Sequence, residues 1–165
     1  ILLALKFKKA KEIIVIDNNK NKARLAKMFG AKYFFHSLNL KTKKKIFSYF
    51  KLGADFCFES AGNASTIAHG LDLISNEGRL HFASHPHNKD KVSLKPHDLI
   101  LGKKITGSWG GSVKPDRDFK KFSNLLKKIK FNSNLKKYKI YKLDDINKAI
   151  KDFRSKKVFR PIIKM

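Results

Sequence analysis

The segment from Glu12 to Ala31, EIIVIDNNKNKARLAKMFGA, most constrains what this chain can fold into. Its four consecutive apolar residues, Ile13 to Ile16, are all β-branched and too few for a helix, so they predict a parallel strand covered on both faces. Asp17 ends this strand. A polar turn and an amphipathic helix follow, and Gly30 suits the left-handed position that ends a helix. The order of strand, acid, turn and helix is half of a βαβ unit.

Asp17 is the main functional clue in this segment. It lies at the carboxyl end of a predicted central parallel strand, which is the edge where open α/β sheets hold their ligands. A carboxylate there can accept hydrogen bonds from both hydroxyls of a ribose, so Asp17 predicts a dinucleotide site. The alternative is a carboxylate that only caps the following loop.

The rest of the chain continues the alternation of strands and helices. Strands are predicted at 32–36, 56–59, 79–84, 104–109, 138–143 and 160–165, and helices at 40–52, 64–74, 117–129 and 146–153, the last with Asp144 as its N-cap. Strands that alternate with helices at this spacing predict an α/β protein with a parallel, doubly wound sheet.

The charge of the chain invites a nucleic-acid interpretation. The 38 Lys and Arg against 13 Asp and Glu give a formal net charge of +25. The lysines are spread through nearly every segment, only five residues are arginine, and Lys, Asn, Ile and Phe are abundant together, as an AT-rich coding bias produces. Specific nucleic-acid readers depend on Arg and aromatic stacking, so we favour a solvated lysine surface and no specific nucleic-acid partner.

Cysteine content and hydropathy argue against disulfide-rich, zinc-cluster and membrane-spanning proteins. Cys57 is the only cysteine, which excludes a disulfide or a cysteine zinc cluster within this chain and indicates a buried, reduced thiol. No apolar stretch reaches the length of a membrane helix, and we expect no signal peptide. A cytoplasmic location is therefore the default expectation.

Five segments together resemble one known family. They are IIVIDNNKNKARLAKMFGA, DFCFESAGN, GRLHFAS, LKPHDLILGKKITGSWGG and LDDINKAIKDFRSKKVFRPIIKM. In order and spacing they resemble the cofactor-binding half of the medium-chain, zinc-dependent alcohol dehydrogenase family, over almost the whole chain. The resemblance implies a Rossmann-like fold, NAD as cofactor, hydride transfer with a small alcohol or polyol substrate, and a homo-oligomer.

The resemblance also implies roles for individual residues. Asp17 would hold the adenosine ribose with Lys22 beside it, and an acid there would repel the extra phosphate of NADP, which favours NAD. The remaining positions line the cofactor: the turn at Ser60 and Ala61, main-chain groups near the nicotinamide amide at Ala83, Ser84, Ser108 and Trp109, and Arg160 at the pyrophosphate. The family more often has Val-Gly where this chain has Ala83-Ser84. No residue of the chain is predicted to be catalytic or to bind a metal.

Two polar groups have a competing interpretation. His85 and His87 form a His-x-His pair, but a proline separates them and no third ligand is evident, so we interpret them as loop histidines near the cofactor cleft. Glu59 and Asp55 could suggest acid–base chemistry. Without a His, Ser or metal partner in view, Glu59 at the end of its strand predicts a structural contact.

By the same resemblance, two parts of the family's machinery are expected before Ile1. One is the glycine-rich turn, with the first strand, that meets the pyrophosphate, and the other is the zinc-bearing catalytic domain. Residues 1–135 would then be an incomplete Rossmann-type NAD-binding domain that begins inside its first helix. Residues 136–165 would be a strand-helix-strand tail that returns to the catalytic domain.

This truncation has consequences for stability and activity. The expected first strand would lie between the Asp17 strand and the Phe56 strand, so both edges would lack a partner. We expect the fragment alone to be inactive, and poorly stable or rearranged. Two rival functions remain at this point: a basic nucleic-acid-binding module, and another Rossmann-type enzyme that uses S-adenosylmethionine. The substrate stays open.

Overall fold

A computed structural model describes residues 1–128, 138–158 and 160–165 of the chain. Chain contacts divide it into two compact units, Ile1–Asp118 and Phe119–Met165. The boundary predicted at residue 135 lies outside the described residues and stays a prediction. The α-helices (α) and strands (β) follow one another in this order: α1 (Leu2–Phe7), β1 (Ile14–Ile16), α2 (Ala23–Met28), β2 (Tyr33–Phe35), α3 (Leu40–Tyr49), β3 (Ala54–Glu59), α4 (Ala64–Leu73), β4 (Ile74–Phe82), α5 (Pro96–Ile100), β5 (Lys104–Gly107), α6 (Pro115–Lys128), β6 (Tyr138–Lys142), α7 (Ile146–Arg154) and β7 (Arg160–Lys164).

Every strand pair among the described residues is parallel. β1 pairs with β2, β4 pairs with β3 on one side and β5 on the other, and β6 pairs with β7. The predicted α/β class with parallel strands is confirmed. In the described part of the chain β1 and β3 belong to separate sheets, so the two edges expected to lack a partner do not pair with each other.

Helix α4 covers one face of the β3–β4–β5 sheet and builds the main core of the first unit. The buried residues of this core are Ile67, Leu71, Ile74 and Leu80, with Cys57 and Ile105 packed against them. Helix and sheet approach closely at Gly70, where an added Cβ would lie 2.7 Å from Cδ1 of Leu80 and 3.1 Å from Sγ of Cys57. A side chain at position 70 would therefore displace Leu80 or the helix.

Strand β1, which was predicted to be covered on both faces, is covered on one face only, and β3 has the same pattern. In β1, Ile13 just before the strand is 6% exposed, whereas Ile16 is 37% exposed. In β3, Phe56 is 60% and Phe58 is 39% exposed, while the intervening Cys57 packs on the core. Successive side chains of a strand point to opposite faces. These apolar runs therefore have one covered and one exposed face in the described part of the chain.

Several element boundaries differ from those predicted. β4 begins at Ile74, directly after α4, instead of at Arg79, and β5 ends at Gly107 instead of Trp109. Helix α5 was not predicted from the sequence; it is five residues long and starts with Pro96, which is tolerated in a first helical turn. The cap of α7 is Asp145 instead of Asp144, because a single 3-10 turn (Leu143–Asp145) precedes the helix.

The second unit contains the predicted strand-helix-strand tail. Tyr141 of β6 is buried, at 4% exposure, and its hydroxyl donates to Oδ2 of Asp152 in α7 at 2.8 Å. Lys139 lies 3.4 Å from the same oxygen. The hydrogen bond from Tyr141 lowers the pKa of Asp152, so an ionised carboxylate fastens helix α7 to strand β6.

The close approach at Gly70 gives a stability prediction. We expect Gly70→Ala to lower the free energy of unfolding by about 1–2 kcal/mol, because the overlap of the new methyl group with Leu80 in a packed core outweighs the roughly 1 kcal/mol by which alanine is favoured over glycine within a helix. Urea denaturation followed by circular dichroism measures this. His69→Ala, at the exposed neighbouring position, is the control and should change the free energy by less than about 0.5 kcal/mol. Equal effects of the two substitutions would contradict the packing argument.

Candidate functional site

Asp17 directly follows β1, and both of its carboxylate oxygens accept hydrogen bonds. The backbone N–H of Asn19 donates to Oδ1 at 2.8 Å, and the ammonium of Lys22 donates to Oδ2 at 2.7 Å. The Asp17 N–H continues the ladder by donating to the carbonyl of Phe35 at 3.0 Å. The Asp17 side chain is 24% exposed. A fixed and partly accessible carboxylate therefore lies at the carboxyl end of β1, with a cation beside it.

A pocket of about 370 Å³ opens where β4 and β5 end. Its lining residues are Phe82, Ser84, His85, Pro86, Gly107, Ser108 and Trp109. The ring of Phe82 lies against the backbone of Gly107, since a Cβ at position 107 would be 2.5 Å from Cζ of Phe82. A larger residue at 107 would displace this ring, so glycine shapes the pocket wall.

Two histidines contact residues in and just after β5, on one side of this pocket. His81 of β4 hydrogen-bonds through Nδ1 to Oγ1 of Thr106 and through Nε2 to Oγ of Ser108, each at 2.9 Å. The ring of His85 meets the ring of Trp109 edge to face, with centroids 4.5 Å apart. Trp109 is 84% exposed, so the pocket presents a large aromatic surface to solvent.

His87, the second histidine of the His-x-His pair, has a local role. Nδ1 of His87 accepts the backbone N–H of Lys89 at 3.2 Å. In the described ranges, no three His, Cys, Asp or Glu residues lie close enough together to hold a metal ion.

None of the described helices is long and apolar enough to cross a bilayer.

Glu59, the last residue of β3, is a buried carboxylate at 5% exposure. Its Oε1 accepts from the backbone N–H groups of Ala61 at 2.6 Å and Gly62 at 2.9 Å, and from Oγ1 of Thr66 at 2.8 Å. Its Oε2 accepts from the hydroxyl of Ser84, beyond the end of β4. One side chain therefore holds the turn after β3, the start of α4 and the loop after β4.

The electrostatics of this contact favour the ionised form of Glu59. Burial raises the pKa of Glu59, but the hydrogen bonds from Ser84, Gly62, Thr66 and Ala61 lower it, and the net pKa lies below its usual value. These donors replace the lost water and stabilise the negative charge.

Cys57 lies two residues before Glu59 on the same strand. Burial, with a smaller contribution from the charge of Glu59, raises the pKa of the Cys57 thiol to about 11. This free thiol is half-buried, and it stays protonated near neutral pH. It is therefore a packing group instead of a nucleophile.

The residues predicted to bind the cofactor fall into several groups. Asp17 and Lys22 are in direct contact. Ser60 and Ala61 form the turn that Glu59 holds, and Ala83 and Ser84 follow β4. Ser108 and Trp109 line the pocket together with Ser84. Arg160 begins β7 in the second unit, where it is exposed. Their roles toward a ligand stay predictions.

Sequence reasoning correctly treated Glu59 as a structural residue but missed its partner. Ser84 lies 25 residues further along the chain, and only the parallel pairing of β3 with β4, which sets Glu59 opposite Phe82, brings it close. The adjacent Ser-Ala-Gly-Asn turn was a signal in the sequence for part of this hydrogen-bond network, because backbone N–H groups in such turns can donate hydrogen bonds to a carboxylate.

Comparison with known proteins identifies the family of the chain. The profile of the family described as zinc-binding dehydrogenase matches residues 1–128. The chain belongs to the zinc-binding dehydrogenase family. This confirms the resemblance to the zinc-dependent alcohol dehydrogenases, and it makes the chain a Rossmann-like domain of an oxidoreductase family.

Individual relatives show how much of a family member is present. L-threonine 3-dehydrogenase of Bacillus subtilis (strain 168) is 35% identical over 103 residues, which are 61% of this chain and 29% of that protein. S-(hydroxymethyl)glutathione dehydrogenase of Komagataella pastoris is 28% identical over 165 residues, or 96% of this chain and 43% of that protein. The crystal structure of benzyl alcohol dehydrogenase from Acinetobacter calcoaceticus matches with a TM-score of 0.88 and 30% identity, over 99% of this chain and 45% of that chain. The chain spans less than half of the length of these relatives.

The lowered pKa of Glu59 predicts how stability depends on pH. A carboxylate with a lowered folded-state pKa stabilises the protein fully above its usual pKa, and this contribution is lost as the pH falls through the lowered value. We expect the free energy of unfolding to fall below about pH 4.3, and to fall less steeply in Glu59→Gln.

Urea denaturation at a series of pH values measures this slope. Asp55→Asn removes an exposed carboxylate from the same strand and should leave the slope near that of the wild type. A Glu59→Gln protein with the wild-type slope would show that Glu59 binds a proton equally well in the folded and unfolded states.

Proposed function

We propose that this chain is the NAD-binding part of a zinc-family dehydrogenase that transfers hydride between a small alcohol or polyol and NAD. The observation that carries the proposal is the Asp17 carboxylate, fixed at the carboxyl end of β1 by Asn19 and Lys22. In open parallel α/β sheets this edge is where nucleotide ligands bind. Membership of the zinc-binding dehydrogenase family supports the same assignment.

Each part of the site would have a distinct task. Asp17 would accept hydrogen bonds from the two hydroxyls of the adenosine ribose, and Lys22 would keep that carboxylate oriented and compensated in charge. The pocket at the ends of β4 and β5 is large enough for one aromatic ring, and it would hold the nicotinamide. The turn at Ser60 and Ala61 would line the cofactor between these two places.

The chemistry would be divided between this chain and the rest of the enzyme. Bound NAD supplies the hydride acceptor at its nicotinamide ring. The described residues bind and orient that ring and contribute no proton-transfer group. Zinc, with its Cys and His ligands, is assigned to a catalytic domain outside these residues, so we expect the 165 residues alone to be inactive.

The substrate is proposed only as a class. The relatives are named for different substrates, among them L-threonine and benzyl alcohol, and the pocket at the ends of β4 and β5 is assigned to the cofactor and not to the substrate. A small alcohol or polyol, a homo-oligomeric assembly and a cytoplasmic location complete the proposal, by analogy with the family.

Substitution of Asp17 tests the proposed function. We expect Asp17→Asn to weaken NAD binding at least tenfold, because hydrogen bonds to a charged acceptor are lost. NADP affinity should fall less or rise, because the charge that repels its extra phosphate is removed. Isothermal titration calorimetry of the full-length native protein with each dinucleotide measures both affinities.

The control is a carboxylate at the other end of the same strand. Glu12 precedes β1 and pairs with Lys32, so Glu12→Gln should leave both affinities unchanged. Equal NAD affinity in Asp17→Asn and wild type would refute the ribose role. Salt-dependent binding to unrelated DNA, without any response to NAD, would favour a nucleic-acid-binding module.

A further inference from the structure

The contact between Glu59 and Ser84 fixes the direction of a hydrogen bond. An ionised carboxylate has no hydrogen to donate, so each of its partners must be the donor. The hydroxyl of Ser84 has only one hydrogen, and the contact with Oε2 of Glu59 commits it. The hydrogen of Ser84 is thus directed at Glu59 and is not available to a ligand.

Ser84 is also part of the pocket wall. With its hydrogen committed, what its oxygen can still offer to a pocket ligand is a lone pair. Ser108 is different, because its hydroxyl bonds to Nε2 of His81 and its direction follows the tautomer of that ring. Ser84 is therefore a hydroxyl of defined polarity in this pocket.

The carboxylate itself is firmly placed. Three donors hold its other oxygen, from Ala61, Gly62 and Thr66. The loop it bonds is also packed on the turn, since a Cβ on Gly62 would lie 3.5 Å from Cβ of Ser84. Glu59 cannot turn away from Ser84 without breaking these contacts, so the polarity of Ser84 is built into the fold.

We propose that Glu59 is a positioning residue that makes Ser84 a hydrogen-bond acceptor in the pocket, where it selects a ligand that presents an N–H₂ donor. This inference rests on the proposed function, in which that donor is the carboxamide of the nicotinamide ring.

A matched pair of dinucleotides isolates the effect. The acetylpyridine analogue of NAD has a methyl ketone in place of the carboxamide, so it keeps the carbonyl oxygen and lacks the N–H₂ group. The quantity to measure is the ratio of the two dissociation constants, by calorimetry on the full-length native protein. Partial unfolding weakens both ligands equally and leaves this ratio unchanged.

We expect the wild type to prefer NAD, and Ser84→Ala to reduce that preference by about five- to tenfold. Glu59→Gln should reduce it similarly, because the glutamine amide can donate to Ser84 and release its hydroxyl hydrogen toward the pocket. Ser84→Thr keeps the hydroxyl and should keep the preference.

Thr66→Val is the matched control. It also removes a hydroxyl bonded to Glu59, but Thr66 does not line the pocket, so the ratio should stay at the wild-type value even where stability falls. A wild-type ratio in Ser84→Ala or in Glu59→Gln would overturn the inference while NAD binding, and the proposed function, still hold. Failure of the wild type to bind either dinucleotide would overturn the proposed function and this inference with it.

Discussion

The buried carboxylate of Glu59 holds together the region on which the proposed site depends. Two strands that end side by side do not by themselves order the loops that follow them. Glu59 supplies this order by accepting four hydrogen bonds, from the turn after β3, from α4 and from Ser84 after β4. Because a buried charge without such donors would be unstable, the loops and the carboxylate stabilise one another.

Two glycines allow close packing in the same sheet. Gly70 lets α4 lie directly on Leu80 and Cys57, and Gly107 gives room to the ring of Phe82. At both positions the absence of a side chain leaves room for a neighbouring group, in the core at Gly70 and at the pocket at Gly107. One face of the sheet is thereby closely packed, while its opposite face exposes Phe56 and Phe58.

The parts of this structure that local sequence patterns encode were predictable, and those that depend on strand register were not. Ile13 to Asp17 predicted a strand with a carboxylate at its end, and the five family segments correctly predicted the fold class and the family. The contact of Asp17 with Lys22 joins residues only five positions apart, and the family resemblance already placed the two side by side. The contact of Glu59 with Ser84 was not predictable, because the register of β3 against β4 creates it.

Burial was also difficult to predict, for a physical reason. An apolar run such as Phe56-Cys57-Phe58 predicts a strand, but the coverage of each face depends on which other elements pack there. In the described part of the chain α4 packs on the Cys57 side only. Hydrophobicity therefore identified the strand but did not determine which of its faces is covered.

The measurement that tests the central claim most directly is amide hydrogen exchange of the full-length native protein with and without NAD. If the chain holds a dinucleotide along the carboxyl ends of its strands, NAD should slow exchange at residues 17–22, 60–62 and 83–85 and leave α3 unchanged. Unchanged exchange at all three segments, or slowing confined to other parts of the chain, would contradict the account.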